Sequence, residues 1–349
     1  MPDNHQPDRP IFAPAYKHLL RAVEQQPESL QGWYPILIRT APAGVWWRHL
    51  ETLRFDDPFF IETLNRQPFD QRQRCFTDFS VLDELSDGMP LSALIFHVSR
   101  CGSTLLTQML ATLPQCVALS EPPVIDSLLY QYQQGALERE SCINLLRGVV
   151  RALGQRRTTQ QQHLVIKLDC WHLQHLQILR EAFPDVPALF LYRQPLQVMA
   201  SHQRQRGPQM LPGMLDPAWV QASDDLLPGN LDIYCLHVLN RFMQTALTAA
   251  EQGQLVPVNY ASLPDAVPDR LLPLLGITLD TDQRASMLER TQRHAKGREP
   301  YRGDPPSATC WGEAPDADLL QRAQALYDAL NALKVVQKTS KQPDTAASL

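Results

Sequence analysis

The sequence predicts an α/β protein: a parallel central sheet with helices on both faces, preceded by an N-terminal extension. Two observations lead there. From residue 91 onward, five short apolar runs of strand length alternate with segments of helical spacing. Each run is apolar at successive positions rather than at alternate ones, as strands buried between two helical layers must be. In such sheets ligands bind beyond the carboxyl ends of the strands, so the chemistry is sought in the loops that follow the runs.

The runs, in order, are LIFHV (94–98), VALS (117–120), HLVIKL (163–168), ALFLY (188–192) and LVPVNY (255–260). Between and after them lie helical patterns. Leu236, Leu239, Phe242, Met243, Ala246 and Leu247 repeat every three or four residues, and Leu319, Leu320, Ala323, Leu326, Tyr327 and Leu330 do the same. Residues 204–230 and 294–315 are rich in Gly and Pro and read as lids, binding loops or disordered segments. Residues 1–90 show no clean alternation but carry many rings, among them Trp33, Tyr34, Trp46, Trp47, Phe55, Phe59 and Phe60. They read as a subdomain that packs on the sheet or lines an acceptor site. The expected organisation is therefore residues 1–90, an α/β unit over 91–335 and a flexible tail over 336–349.

Composition narrows the function. The 349 residues are 44% hydrophobic and 20% charged, with a net charge of −5. That balance suits a globular core and argues against general nucleic-acid binding, while leaving room for a local anion pocket. No run approaches the roughly 18 apolar residues of a membrane span. The polar, Pro-rich start is not a secretory signal. Seven scattered cysteines without a C-x-x-C pair imply neither a disulfide framework nor a zinc site, and place the chain in a reducing cytoplasm.

The segment LIFHV-SRCGST-LLTQMLATL reads as strand, tight loop and helix. Gly102 permits the turn, and the amides after it open a helix N-terminus that attracts an anion. Ser99, Ser103 and Thr104 add hydroxyls, and Arg100 adds a forked cation. Against the nucleotide triphosphatase loop G-x-x-x-x-G-K-S/T, His97 replaces the first glycine and Ser103 the phosphate-reaching lysine. That is a poor magnesium–triphosphate site and a better one for a transferable group that needs no metal. A second strand end, LFLYRQPLQVMASHQ, sets Arg193 at its mouth, Pro195 at the first turn of a helix and Ser201 along it, an arrangement able to hold a second phosphate.

Together these two segments resemble the sulfotransferase superfamily. Its first loop reads Pro–Lys/Arg–Ser/Thr–Gly–Ser/Thr–Ser/Thr and binds the 5′-phosphosulfate. Its second reads Tyr/Phe–Arg–Asp/Asn–Pro with a later Ser and binds the 3′-phosphate. Arg100, Gly102, Ser103 and Thr104 match the first, with Cys101 inside the loop; Arg193, Pro195 and Ser201 match the second. Tyr260 and Leu275-Gly276-Ile277 echo a third family segment, although the acidic residues after the tyrosine are replaced by Ala261 and Ser262. Other departures are Ser99 for the loop proline and Gln194 for Asp/Asn. The family's basic C-terminal loop is only suggested by HAKGREPYRGD, where Lys296, Gly297, Arg298 and Arg302 are candidates to cover the nucleotide. The resemblance spans residues 91 to about 300. It implies a P-loop-type fold and an enzyme that moves a sulfuryl group from 3′-phosphoadenylyl sulfate, a co-substrate, to a hydroxyl acceptor without a metal. The acceptor is left open between a small molecule, a glycan and a peptide side chain.

Glu121, in VALSEPP, resembles the glutamate that serves bacterial and Golgi members as general base. The dipole of the helix begun by Pro122 and Pro123 is expected to keep it ionised. Histidines compete for the role: His97, His172, His175 and His202 all flank strand ends or the second segment. Arg100 is expected to stabilise charge on the sulfuryl group. Lys167, near the end of a central strand, would be costly to bury without an anion; it faces either the phosphosulfate or Asp169. Two rival functions stay open: an NTP-dependent kinase on the same sheet, with Asp169 as metal partner, and a nucleotide-binding scaffold without turnover.

Overall fold

The computed structural model describes residues 16–51, 53–85, 88–221, 230–297, 299–301 and 316–333. Arg298 and Arg302, and the 336–349 tail, lie outside the described residues.

Two sheets organise the chain. The N-terminal sheet contains β1 (Val23–Glu24), β2 (Trp33–Thr40), β3 (Ala43–His49) and β4 (Gln73–Thr77) in the order β1-β4-β3-β2. β2, β3 and β4 form an antiparallel meander, and two short helices, α1 (Phe60–Arg66) and α2 (Val81–Glu84), flank β4 in sequence. The alternation invisible in residues 1–90 is thus a small β meander. Trp33, Tyr34, Trp47, Phe55 and Phe60 are buried in it. β2 lies along α4 and α5, and the Ile38 N–H donates to Ser127 Oγ of α4 at 2.9 Å. Both sheets contribute to one continuous hydrophobic cluster.

The second sheet is entirely parallel: β5 (Leu91–His97), β6 (Cys116–Ser120), β7 (His163–Lys167), β8 (Ala188–Tyr192) and β9 (Val256–Asn259), in the order β6-β7-β5-β8-β9. All five predicted runs are strands, and β6 and β8 are buried at every position. β5 reaches back to Leu91 and ends one residue early, because Ser99 and Arg100 adopt positive φ and turn the backbone. β9 stops at Asn259, whose side chain accepts from Ala261 N–H and caps a 3-10 turn that begins with Tyr260.

The helices are α3 (Ser103–Leu110), α4 (Pro123–Gln133), α5 (Arg139–Leu153), α6 (Leu176–Ala182), α7 (Pro195–Arg204), α8 (Pro217–Val220), α9 (Leu231–Glu251), α10 (Leu272–Leu274), α11 (Thr281–Arg290) and α12 (Ala317–Ala332). With the right-handed crossovers that parallel sheets adopt, this strand order calls for α3 on one face and the β7–β8 and β8–β9 connections on the other. α11 packs on α3, whereas α12 packs on α9 and α7. After β5 the chain leaves toward β6; after β8 it leaves toward β9 in the opposite sense. The crevice at the carboxyl ends of these adjacent strands is the topological switch point, where such sheets bind ligands.

One loop expectation changes. Within the described part of 204–230, a 3-10 turn at Pro208–Met210 and helix α8 bury Gln209, Met210, Leu215 and Val220. Apolar side chains at Pro-rich spacing pack this segment against the body of the protein, so up to Gln221 it is neither a free lid nor disordered.

Candidate active site

The switch point opens into a cleft of about 220 Å³. It is lined by every residue of the Ser99–Thr104 loop and by Glu121, Lys167, Arg193, Ser201, Tyr260 and Lys296. Residues separated by almost 200 positions therefore converge, because the ends of β5, β6, β7, β8 and β9, the starts of α3 and α7 and the loop after α11 meet at the same sheet edge. Gly297 instead lines an adjoining cleft with Asp56, Asp57, Arg66 and Gln108.

The loop after β5 is built from unusual backbone. Ser99, Arg100 and Gly102 have φ of 68°, 53° and 81°, and Gly102 is the N-cap of α3. A side chain at Gly102 would bring its Cβ within 2.7 Å of the Tyr260 ring, so glycine is required for space as well as for conformation. Ser103 and Thr104 are buried. Cys101 is fully buried, and burial pushes its thiol up to about 11, which leaves it un-ionised at neutral pH. Arg100 donates from Nη2 to Gln205 O at 2.7 Å, so its guanidinium bridges the loop to the end of α7. The Arg193 guanidinium lies over the Tyr260 ring at 4.2 Å and donates from Nε to Gln197 Oε1 at 2.8 Å. Tyr260 Oη meets Tyr301 Oη at 3.4 Å.

At the inner end of the cleft, Lys167 Nζ is 2.9 Å from Glu121 Oε1 and 3.4 Å from Thr104 Oγ1, with a side chain only 1% exposed. Of the two partners expected for Lys167, the structure gives neither alone: its ion pair is with Glu121. Burial pushes the Glu121 carboxyl up, but first the Lys167 charge and then the nearby His97 outweigh burial and hold it well below the usual carboxylate range. Glu121 itself has φ of 57°, rare for a residue with a side chain, and its N–H donates to Lys167 O at 2.7 Å. Backbone strain of this kind persists where surrounding structure enforces it, and it concentrates at functional sites.

His97 lies beside this pair, its Nε2 3.6 Å from Glu121 Oε1. Its Nδ1 accepts from Ser99 N–H at 3.0 Å, so Nε2 carries the proton and donates to Leu168 O at 3.0 Å. Burial lowers its pKa and favours this neutral form. His172, His175 and His202 do not line the cleft. His202 is fully buried and its Nδ1 accepts from Gly207 N–H; burial first, then nearby arginines and Lys296, lowers it to about 3. Among the candidate bases, Glu121 and His97 alone face the ligand space.

Sequence reading did not single out Thr291, Arg293, His294, Ala295 and Tyr301 from the loop after α11, and it named Phe59 only as one of seven rings that pack on the sheet or line an acceptor site. Phe59 is the one ring of the N-terminal seven that reaches this cleft. It lies 4.6 Å from Lys167 Nζ and 5.1 Å from Lys296 Nζ, a cation–π contact with both. Its segment is tied to α3: Gln108 donates to Asp56 O at 3.1 Å and accepts from Arg290 Nη2 at 2.7 Å. Burial, then Arg100 and Lys167, lowers the pKa of Lys296. No spacing rule reaches across to residue 59, which is why only the fold reveals it.

The cleft thus gathers Arg100, Lys167, Arg193, Arg293 and Lys296 against one carboxylate, Glu121, in a chain whose net charge is −5. It is built for an anion with more than one charged group. A metal has one possible seat among the described residues: ligand atoms of Asp126, Asp169 and His172 lie within 4.8 Å of one another, outside the cleft. There Asp126 Oδ1 already accepts from Trp171 Nε1 at 2.6 Å and meets His172 Nε2 at 2.9 Å. The donor set is engaged with itself as a hydrogen-bonded cluster.

The model of the Sulfotransferase family matches residues 93–281, more than half of the chain. This protein belongs to the sulfotransferase family. No curated protein sequence matches the chain. Solved structures similar to this sulfotransferase include the sulfotransferase STF9 from Mycobacterium avium, 13% identical, covering 74% of this chain and 80% of that one at a TM-score of 0.43. The sulfotransferase domain from the curacin biosynthetic pathway is 16% identical, covering 69% and 99% at 0.45. Mouse sulfotransferase SULT7A1 complexed with PAP is 11% identical, covering 74% and 87% at 0.32.

Proposed function

We propose that the protein transfers a sulfuryl group from 3′-phosphoadenylyl sulfate to a hydroxyl acceptor, with Glu121 as general base. The observation that carries this is the Glu121–Lys167 pair, 2.9 Å apart at the floor of a cationic cleft whose mouth holds Arg193 and Ser201. The Ser99–Thr104 loop amides and hydroxyls, with Arg100, suit the 5′-phosphosulfate; Arg193 and Ser201 suit the 3′-phosphate; Tyr260 and Lys296 complete the donor site. Glu121 and Thr104 take two of the three Lys167 ammonium donors, and the third suits a phosphosulfate oxygen.

In the reaction Glu121 takes the acceptor's hydroxyl proton, the acceptor oxygen bonds to sulfur, and the sulfur–oxygen bond to the bisphosphate breaks with the electron pair leaving on the phosphate. Arg100, Lys167 and the loop amides stabilise that charge. By analogy with phosphoryl transfer, the transition state is loose and demands little nucleophile activation, so a carboxylate of low basicity suffices. As Lys167 turns toward the donor anion its hold on Glu121 weakens, which raises the basicity of Glu121 when it is needed. His97, neutral and pinned at both ring nitrogens, orients Glu121. Phe59, from the N-terminal region, walls the acceptor side. The acceptor is a hydroxyl compound small enough, or with a hydroxyl arm slender enough, to pass Phe59.

The kinase alternative loses its support in this arrangement. Ser103 stands where the nucleotide-triphosphatase lysine would be, and Asp169 lies outside the cleft. Calorimetry with adenosine 3′,5′-bisphosphate tests the donor site, with ATP–magnesium for comparison. Bisphosphate binding that weakens about tenfold or more in Arg193→Ala, the loss of a charged hydrogen-bond partner, is expected. Binding of ATP–magnesium without bisphosphate binding refutes the reading.

A further inference from the structure

The loop that carries Lys296 has little hydrophobic grip on the rest of the protein. No described residue from Thr291 to Tyr301 is buried, and α11, the helix before it, buries only Met287. Polar ties must therefore hold the loop, and they converge on one side chain. Arg290, the last residue of α11, donates from Nη1 to Arg293 O and His294 O at 3.3 Å each, and from Nη2 to Ala295 O at 3.3 Å. Its shortest bond, from Nη2 to Gln108 Oε1 at 2.7 Å, crosses to α3.

A guanidinium can serve these acceptors together because its N–H groups diverge in one rigid plane. The three carbonyls belong to successive residues, so Arg290 folds the chain back over the end of its own helix, where a cation also suits the dipole. Beyond that fold, the His294 N–H donates to Glu299 O at 2.7 Å and the Tyr301 N–H to Gln292 O at 2.8 Å. These bonds lie on either side of an antiparallel bridge between Arg293 and Pro300. The loop is thus a short hairpin with Lys296 near its tip.

Gln108 supplies the fixed end of the tie. It is 6% exposed on α3, and its amide donates to Asp56 O at 3.1 Å. The Asp56 segment is anchored in turn by the buried rings of Phe55 and Phe60, stacked at 5.3 Å. One wall of the cleft, Phe59, is therefore built onto the core, whereas Lys296 hangs from Arg290. Lys296 Nζ lies 5.1 Å from the Phe59 ring, so the Gln108–Arg290 bond refers both to one point. Neither Arg290 nor Gln108 lines the transfer cleft, so they act on it through what they hold.

We propose that Arg290 is a positioning residue of the donor site: braced on Gln108, its guanidinium holds the 291–301 hairpin so that Lys296 is aimed into the cleft. The role of Lys296 toward the donor rests on the proposed function; the bracing of the hairpin does not.

Hydrogen exchange on the full chain, without ligand, tests the bracing. Peptides covering 291–301 should exchange roughly tenfold faster in Arg290→Gln and in Gln108→Leu, the scale of one charged hydrogen bond, with β8 peptides unchanged. Gln108→Glu keeps an acceptor for Arg290 and should exchange like the parent. Unchanged loop exchange in Arg290→Gln, or equal acceleration by Gln108→Leu and Gln108→Glu, overturns the proposal. Should Arg290→Gln accelerate exchange throughout the chain, the two Gln108 variants decide. Calorimetry with adenosine 3′,5′-bisphosphate tests the route through Lys296. Arg290→Gln and Lys296→Met should each weaken binding by about tenfold, and the double variant by no more than either alone, because both remove one interaction. Additive losses, or no loss with Arg290→Gln, overturn it. If the parent itself binds no bisphosphate, the donor reading fails separately, and the exchange result still decides whether Arg290 holds the hairpin.

Discussion

The two ends of the cleft are made differently. The end around Glu121 and Lys167 is part of the core: Lys167 is 1% exposed, and Glu121 sits in left-handed backbone with its N–H donating to the carbonyl of Lys167. The end around Arg193 is assembled from side chains on helices and loops, with Arg193 on the Tyr260 ring and Tyr260 against Tyr301. On the proposed function, the buried, ion-paired end is preorganised and stabilises charge at little reorganisation cost. The end of loop-borne cations would then serve binding, and its losses should appear in affinity rather than in turnover.

The sharpest way to break this contrast is at Lys167. Lys167→Met should cut kcat by roughly a hundredfold to a thousandfold, as removal of a preorganised charge-stabilising donor does, and leave bisphosphate affinity much less affected. It should also move the acid limb of the pH profile to higher pH. The reason is one of sign: with Lys167 present the folded-state carboxyl of Glu121 lies below its unfolded value, so the ionised form persists, and with it the stability it contributes, until pH falls through the folded pKa. Single-turnover rates and a pH series read both effects. If affinity collapses instead while kcat holds, the two ends are not distinct.

A smaller effect is expected at the boundary between them. Phe59→Ala should raise KM for the acceptor by about tenfold, the scale of losing one buried aromatic contact of roughly 1.5 kcal/mol, with bisphosphate affinity nearly unchanged. Phe69→Ala, on an exposed ring of the same region, should change neither. Steady-state kinetics on the two variants decide whether the N-terminal region belongs to the active site.

The smallest effect concerns stability alone. His175 and His202 are held neutral by burial, each at about 3, below the ordinary histidine value. The unfolded chain then binds protons that the native state refuses, so stability is full above about pH 6.5 and declines as pH falls from there toward 3. His202→Gln should flatten that decline in urea melts taken across pH 4 to 7, without moving the transfer rate's acid limb.

Several of these features were open to a reader of the sequence. SRCGST after an apolar run specifies a tight turn before a helix, since Gly102 tolerates positive φ and the following hydroxyls suit a helix start. Arg193 followed by Pro195 marks a strand mouth and a helix start just as directly, and α7 indeed begins at Pro195. The N-terminal meander was not legible. Its rings alternate too irregularly, and its β2–β3 register slips between Pro35 and Leu37, which blurs the period-two pattern. Positive φ at Glu121 was equally hidden, because nothing in LSEPP requires it.

What the sequence determined by itself is therefore local and periodic: five buried parallel strands, the phosphate loop, the second arginine segment and the list of chemically capable side chains. Only the tertiary structure decided which of those side chains meet. It paired Lys167 with Glu121, withdrew Asp169, His172, His175 and His202 from the cleft, and brought Phe59 across to cover two lysines. The physical reason is that helix and strand periods follow from neighbours a few positions away. Ion pairs and ring contacts depend instead on strand order and crossover direction, which join residues 46 or 108 positions apart and leave no periodic trace in the chain.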